Sequence, residues 1–440
     1  MQHNEVVQKL QSNFSTTKNL KESGIPWLGK IPKHWEMRRV KHLFEIGRGR
    51  VISQEELDDS GMYPVYSSQT QDNGVLGYIR TYDFDCEQIT WTTDGVNAGT
   101  VFLRRGKHNC TNVCGTLRPK NKNENIVFLT FALQNATPYY KRPDTNGAKI
   151  MNNEMAEILL IYPPLKEQQA IADFLDKKTR QIEKFIDKKQ KLITLLEEKK
   201  QTLINQCVTQ GLDPSTPLKD SGVEWIGKIP THWEVKKLKL LFGIGSGLGI
   251  TKADFVPSGI PCVSYGEIHS KYPCRLNTGI HPLPYVSEDY LSSKPQALLK
   301  KGDFVFADTS EDIEGSGNFT SLQSDDPVFA GYHTIVLKPK TQSIHSPYFS
   351  FLFDSLGIRN QVRKEVCGVK VYSITKSILK EVQCLIPPLE EQKAIAEYLD
   401  TQIEKIDLAI CKIKSQINLI KEYKSTLISE AVCRRVGIKG

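Results

Sequence analysis

KESGIPWLGKIPKHWEMRRVKHLF, residues Lys21–Phe44, returns as KDSGVEWIGKIPTHWEVKKLKLLF, residues Lys219–Phe242, without a gap and at an offset of 198. Trp27, Gly29, Lys30, Ile31, Pro32, His34, Trp35 and Glu36 match Trp225, Gly227, Lys228, Ile229, Pro230, His232, Trp233 and Glu234. Chance does not produce such a repeat, so the chain is one unit built twice. A second block closes each copy. PPLKEQQAIADFLD (Pro163–Asp176) returns as PPLEEQKAIAEYLD (Pro387–Asp400) at an offset of 224. The variable middle of the second copy is therefore about 26 residues longer.

Between the two motifs the copies are only weakly alike. LRPK (Leu117–Lys120) resembles LKPK (Leu337–Lys340), and Gln88–Trp91 parallels Asp303–Phe306. Short apolar runs alternate with turn residues, as in YPVYSS, VLGYI, QITWTT and GDFVFAD, which predicts short strands. Helices are expected at Phe128–Leu133 and Tyr348–Leu356. The fold class expected is α+β, with irregular sheets.

After each PPL the pattern turns helical for about 40 residues, and proline before a first turn is a normal helix start. Positions 182, 186, 193, 196 and 203 of the first helix are Ile, Ile, Ile, Leu and Leu. In the second helix, positions 403, 406, 410, 413, 417 and 420 are Ile and 427 is Leu. This 3–4 spacing is an a/d seam. The first seam is flawed at Thr179, Lys189 and Lys200, which favours burial against the cleaner second seam. The expectation is two long helices forming an antiparallel coiled coil with pseudo-twofold symmetry. GLDPSTPLKDSG (Gly211–Gly222) reads as a linker, and Ser15–Gly24 as the end of a similar one.

The 440 residues allow two or more domains, and 25% of them are charged. No apolar run approaches a membrane span, and the N-terminal stretch lacks the apolar core of a secretory signal. The ten cysteines include no CxxC pair, so reduced thiols in the cytoplasm are expected, and no metal site.

The net charge of +8 suits a polyanion, and its distribution is more specific. Gly95–Asn123 carries Arg104, Arg105, Lys107, Arg118, Lys120 and Lys122 with no acid. Ile358–Lys376 carries Arg359, Arg363, Lys364, Lys370 and Lys376 against Glu365 alone. The opening motifs add Lys30, Lys33, Arg38, Arg39 and Lys41, then Lys228, Lys236, Lys237 and Lys239. Such groups bind phosphates, whereas base reading needs polar side chains on positioned loops. In the first copy the DNA-contact candidates are Arg48, Arg50, Ser67, Ser68, Gln69, Asn97, Arg104, Arg105, Lys107 and Lys149. In the second they are Ser246, Lys252, Tyr265, His269, Thr309, Ser310, Lys370 and Tyr372. Two half-sites on one face of B-DNA lie about 34 Å apart, a spacing that a helix pair between two domains can set.

The motifs W-[LI]-G-K-I-P-x-H-W-E and P-P-L-x-E-Q-x-A-I-A-x-[FY]-L-D, each present twice, closely resemble those of type I restriction–modification specificity subunits. The resemblance runs from about Lys21 to about Val432. It implies an N-terminal segment at 1–24, a target recognition domain at 25–162, a spacer helix at 163–210 and a linker at 211–222. A second recognition domain at 223–386 and a second spacer helix at 387–436 follow. The implied partners are double-stranded DNA, two modification (methyltransferase) subunits and two restriction subunits. S-adenosylmethionine, and ATP and Mg for restriction, belong to those partner subunits, and this chain is expected to carry no cofactor and no catalytic residue.

Other roles carry less weight. The repeated tryptophans next to Ile-Pro read as packing anchors, and His34 and His232 as structural hydrogen-bonders. Glu167–Gln168 and Glu391–Gln392 open long helices, where a carboxylate favours the dipole; docking of the methyltransferase is the sharper reading of these four. No phosphate-loop or adenine-methyltransferase motif is present, which argues against an independent enzyme. A protein-only coiled-coil adaptor leaves two unlike loop-rich domains unexplained.

Overall fold

The computed structural model describes residues 19–121, 123–145, 147–366 and 371–433. The described residues up to Gln190 and from Lys414 onward make one compact unit, and Lys191–Ile413 makes the other. Each unit therefore takes helix from both copies of the repeat.

The first unit contains β1 (Glu36–Arg39), β2 (Phe44–Arg48), β3 (Tyr63–Tyr66), β4 (Val75–Ile79), β5 (Phe84–Asp85), β6 (Gln88–Thr92), β7 (Asp94–Gly95), β8 (Val101–Arg104), β9 (Lys107–Cys110) and β10 (Cys114–Pro119). Helix α1 (Ile126–Ala136), β11 (Arg142–Asp144), β12 (Gly147–Lys149), α2 (Asn152–Glu157), β13 (Leu159–Tyr162) and the start of the 46-residue α3 (Leu165–Gln210), whose residues from Lys191 belong to the second unit, follow. One sheet has the order β8-β6-β10-β2, and a second the order β4-β3-β9-β5 with β3 and β9 parallel.

The second unit repeats this plan. It contains β14 (Glu234–Lys237), β15 (Phe242–Ser246), β16 (Ile260–Val263), α4 (Tyr265–Ser270), β17 (Cys274–Leu276), β18 (Tyr285–Val286), β19 (Leu298–Leu299), β20 (Phe304–Ala307), β21 (Thr309–Ser310), β22 (Phe319–Leu322), β23 (Val328–Ala330) and β24 (Thr334–Pro339). Then come α5 (Ser346–Asp354), α6 (Leu356–Glu365), β25 (Tyr372–Ser373), α7 (Lys376–Glu381), β26 (Gln383–Ile386) and the start of α8 (Leu389–Val432), whose residues from Lys414 belong to the first unit. The sheets are β15-β24-β20-β22-β17 and β18-β16-β23-β19, with β16 and β23 parallel. Strand β17 is the added edge.

The weak sequence parallels mark equivalent strands. Leu117 of LRPK faces Ile46, and Leu337 of LKPK faces Ile244. Strands β6 and β20 are both buried at every position. At one equivalent pair the two sheets exchange volume between partners: Gly115 faces Trp91 in the first, and Ile335 faces Phe306 in the second.

The motifs close each domain on itself. Strand β1 pairs antiparallel with β13, and β14 with β26, so opening and closing motifs meet at one seam. The stretch read as a linker contributes a strand: Leu218–Asp220 pairs with Lys228–Pro230, and Leu20–Glu22 pairs with Lys30–Pro32 in the same register. Polar linker composition concealed these short strands, which are exposed at every position while their partner strands bury Ile31 and Ile229.

Helix α1 is longer than the sequence suggested, and Asn125 caps it by accepting from the amide of Phe128. Helix α5 ends at Asp354. Ser355 is extended, its hydroxyl bonds the carbonyl of Leu352, and the Asn205 side chain accepts from Leu356 N to start α6.

Within the first unit, Ile171, Leu175 and Ile182 of α3 share a core with Leu427, Ile428 and Ala431 of α8. Within the second, Ile204, Cys207 and Val208 of α3 share one with Ile395, Ala396 and Leu399 of α8. In both units the two helices run antiparallel. Two of the three flaws in the first seam are accommodated. Thr179 is buried with its hydroxyl on the carbonyl of Asp176, and Lys200 Nζ lies 2.8 Å from Asp407. No helix among the described residues is long and apolar enough to cross a membrane.

Candidate nucleic-acid interface

The repeated motifs form a clamp, built twice. Glu167, in the first turn of α3, takes a hydrogen bond from Trp35 Nε1 at 3.1 Å and contacts His34 Nε2 at 2.7 Å. Glu391 does the same with Trp233 at 3.1 Å and His232 at 2.8 Å. Both indoles are fully buried. Gln168 and Gln392 are buried as well, which corrects their reading as docking residues. Their amides bond the carbonyls of Pro163 and Pro387, and Gln392 also accepts from the amide of His345. These four polar side chains bind each domain to its own helix, whose first turn they occupy.

The basic residues of the opening motifs belong to the same frame. Glu157 of α2 pairs with Lys41 at 2.6 Å and Arg39 at 3.2 Å. Glu381 of α7 pairs with Lys237 at 2.5 Å and Lys239 at 2.7 Å, and these ammonium groups hold its carboxyl down at about 2. Lys120 and Lys340 each donate to a carbonyl of the opening motif, those of Lys41 and Lys239.

The loops of the first domain sort their candidates sharply. Arg104, expected to contact phosphate, is instead 2% exposed. Its guanidinium stacks 3.5 Å from the Tyr66 ring and donates to Thr90 Oγ1 and the carbonyl of Asn73. Burial lowers its pKa. Arg50 is held by Glu56 and Asp83, Arg105 by Glu87, and Lys149 by Asp144. Arg48 donates to the carbonyl of Asn112 and Gln69 to that of Val75. Asn97 donates to the carbonyl of Ser68 at 3.4 Å, and Ser67 Oγ accepts from Thr111. Lys107 is exposed, its ammonium 4.5 Å above the Tyr82 ring, and the neighbouring phenols of Tyr63 and Tyr82 raise its pKa.

In the second domain the fold gathers the candidates. Tyr265, His269, Thr309 and Ser310 line one cleft of about 820 Å³, joined by Glu311, Asp312, Glu314, Asn318 and His333. Tyr372 lies opposite Ser310 in the pairing of β21 with β25, but it packs against the core of the domain and is not part of the cleft lining. His269 Nε2 donates to the carbonyl of Thr309 at 2.7 Å, so Nδ1 accepts from the Asn318 amide at 2.9 Å. Ser246 and Lys252 are exposed and lie outside that lining. Lys370 and Lys122 lie outside the described residues. Arg359 and Arg363, read as part of a basic cluster, sit on α6 and are bonded to Asp354, Asn318 and the carbonyl of Glu314. The acids lining this cleft escaped sequence reading because they come from one loop, Glu311–Glu314, that carries no motif.

The geometry is therefore one frame with two unlike loop faces. The family model described as the type I restriction modification DNA specificity domain matches residues 32–194 and again 230–419. The chain belongs to this specificity family. Its two matches bracket the two clamps and the loops between them. A specificity subunit of the enzyme MjaVIII from Methanocaldococcus jannaschii is 28% identical over 417 residues, 91% of this chain and 93% of that protein. A specificity subunit of the enzyme MpnII from Mycoplasma pneumoniae is 44% identical over 142 residues, 32% of this chain and 43% of that one. The matches to the first three Mycoplasma pneumoniae relatives span only 38% to 57% of those proteins' length. The specificity fold also recurs in a chain from a structure of type I restriction–modification complex assembly and conformational transition, at a TM-score of 0.65 and 14% identity over 91% of this chain and 98% of that one.

Proposed function

We propose that this specificity-family chain is the non-catalytic, DNA-reading subunit of a type I restriction–modification complex. Each domain reads one half of an asymmetric, interrupted site in double-stranded DNA. Two modification subunits methylate adenine there with S-adenosylmethionine, and two restriction subunits, using ATP and Mg, cut DNA that lacks the mark. The complex acts in the cytoplasm. The observation that carries this reading is the pair of identical clamps holding unlike loop faces. A frame repeated residue for residue keeps geometry constant, while different loops offer different donors and acceptors. Any docking of the modification subunits near the clamps uses the exposed edges of Glu167 and Glu391, since Gln168 and Gln392 are buried.

Sequencing of methylated adenines in DNA exposed to the chain with its modification subunits tests the proposal. One motif with two different specified ends and an unspecified gap is the expected result. A single uninterrupted motif contradicts it.

A further inference from the structure

Three DNA-contact candidates of the first domain turn their side chains inward to hold a loop. Gln69 bonds the carbonyl of Val75, Asn97 that of Ser68, and Arg104 that of Asn73. Arg104 is costly to bury, and its polar contacts include Thr90 Oγ1 and this loop carbonyl. What the anchors leave outside is Thr70, Gln71, Asp72 and Asn73, all exposed. Asp72 and Asn73 adopt left-handed backbone at φ 47° and 55°, followed by Gly74 at 81°. Such residues cost conformational energy and persist where the surroundings over-determine them, often at binding sites. The turn tied in through Asn97 carries Val96, a bare aliphatic side chain 85% exposed.

We propose that the Thr70–Asn73 tip, with Val96 on the turn that Asn97 ties to Ser68, is the base-reading element of the first domain, and that it reads the major-groove edge of A·T pairs. This rests on the DNA-reading function proposed above. A Gln or Asn amide matches the N6 donor and N7 acceptor of adenine, and an aliphatic side chain matches the thymine methyl. Asp72, an acceptor only, takes a hydrogen bond from an exocyclic amino group. Gln69, Asn97 and Arg104 are positioning residues.

The test uses the full chain assembled with its modification subunits, acting on duplexes randomised in both half-sites and sequenced for methylation. Gln71→Ala relaxes an A·T requirement at one position of one half-site by about tenfold or more, the size of a lost bidentate contact. Asn73→Asp keeps a residue that tolerates the left-handed backbone and shifts preference from adenine toward cytosine at one position of the same half-site. Val96→Ser weakens the thymine preference there. The other half-site keeps its wild-type pattern in all three. If Gln71→Ala and Asn73→Asp both retain the full wild-type motif, the tip is not the reader, although a split site still supports the DNA-reading function. Equal relaxation in both half-sites also overturns the proposal. A wild-type complex with no two-part preference overturns the DNA-reading function itself.

Discussion

The clamp contacts of the first and second domains agree in length to within 0.1 Å, yet their loop faces differ in kind. The Trp–Glu contact is 3.1 Å in both, and the His–Glu contact is 2.7 Å in one and 2.8 Å in the other. Around the frame, the first domain presents a tip held from beneath by a buried arginine. The second presents an acid-edged cleft around His269, whose two ring nitrogens are both hydrogen-bonded. The difference teaches which residues are free to vary. Those that clamp the opening motif to the helix start, His34, Trp35, Glu167 and Gln168 and their counterparts His232, Trp233, Glu391 and Gln392, keep their identity, and those on loops beyond the sheets do not.

The largest test of that comparison lies in the core. A Cβ at Gly115 would sit 2.2 Å from the Trp91 ring, whereas the equivalent Ile335 packs against Phe306. Gly115→Ala is expected to destabilise the first domain by about 3 kcal/mol, as overpacking of a rigid site does. Calorimetry should show one unfolding component lowered and the other unmoved. Next comes the clamp. Glu167→Ala and Glu391→Ala each leave a buried indole N–H without its carboxylate, a loss of about 2 kcal/mol. The two variants should match in denaturant midpoint shift, because the geometry matches; unequal shifts would break the equivalence of the clamps.

Smaller effects attach to the helices. Lys200 pairs with Asp407 in the second unit, and Lys424 pairs with Glu183 in the first. Both are partly exposed, so Lys200→Ala and Lys424→Ala should each cost about 0.5 kcal/mol or less, measured as urea midpoints at low salt. The smallest effect is at acid pH. The Glu381 carboxyl, held at about 2 against an ordinary 4.5, favours the folded state above the ordinary value. That contribution is lost as pH falls from about 4.5 toward 2. Glu381→Gln should therefore flatten the fall of Tm with acid, and Glu157→Gln should act in the same sense, since Lys41 lowers the Glu157 carboxyl.

Much of the frame was legible in sequence because it is local and repeated. The PPL starts of α3 and α8, the helical seams, and the pairing of LRPK with LKPK all follow from residue pattern. The loop faces were not legible, for a physical reason. Whether Arg104 meets solvent or a Tyr66 ring depends on strands far apart in sequence, and a cluster of basic letters does not report which are buried. Likewise Gln168 and Gln392 looked like exposed helix-start residues. They are buried with their amides on the carbonyls of Pro163 and Pro387, and Gln392 also donates to the carbonyl of Ser343 and accepts from the amide of His345, contacts that no local pattern announces. His269, Thr309 and Ser310 were chosen individually, and only the packing of α4 beside β21 shows that they share one cleft.

The most direct test replaces residues 45–160 with the corresponding segment of another specificity-family member and maps adenine methylation by the assembled complex. The account predicts a motif changed in one half only, with the other half and the gap length retained. A change in both halves, or in the gap, would contradict it.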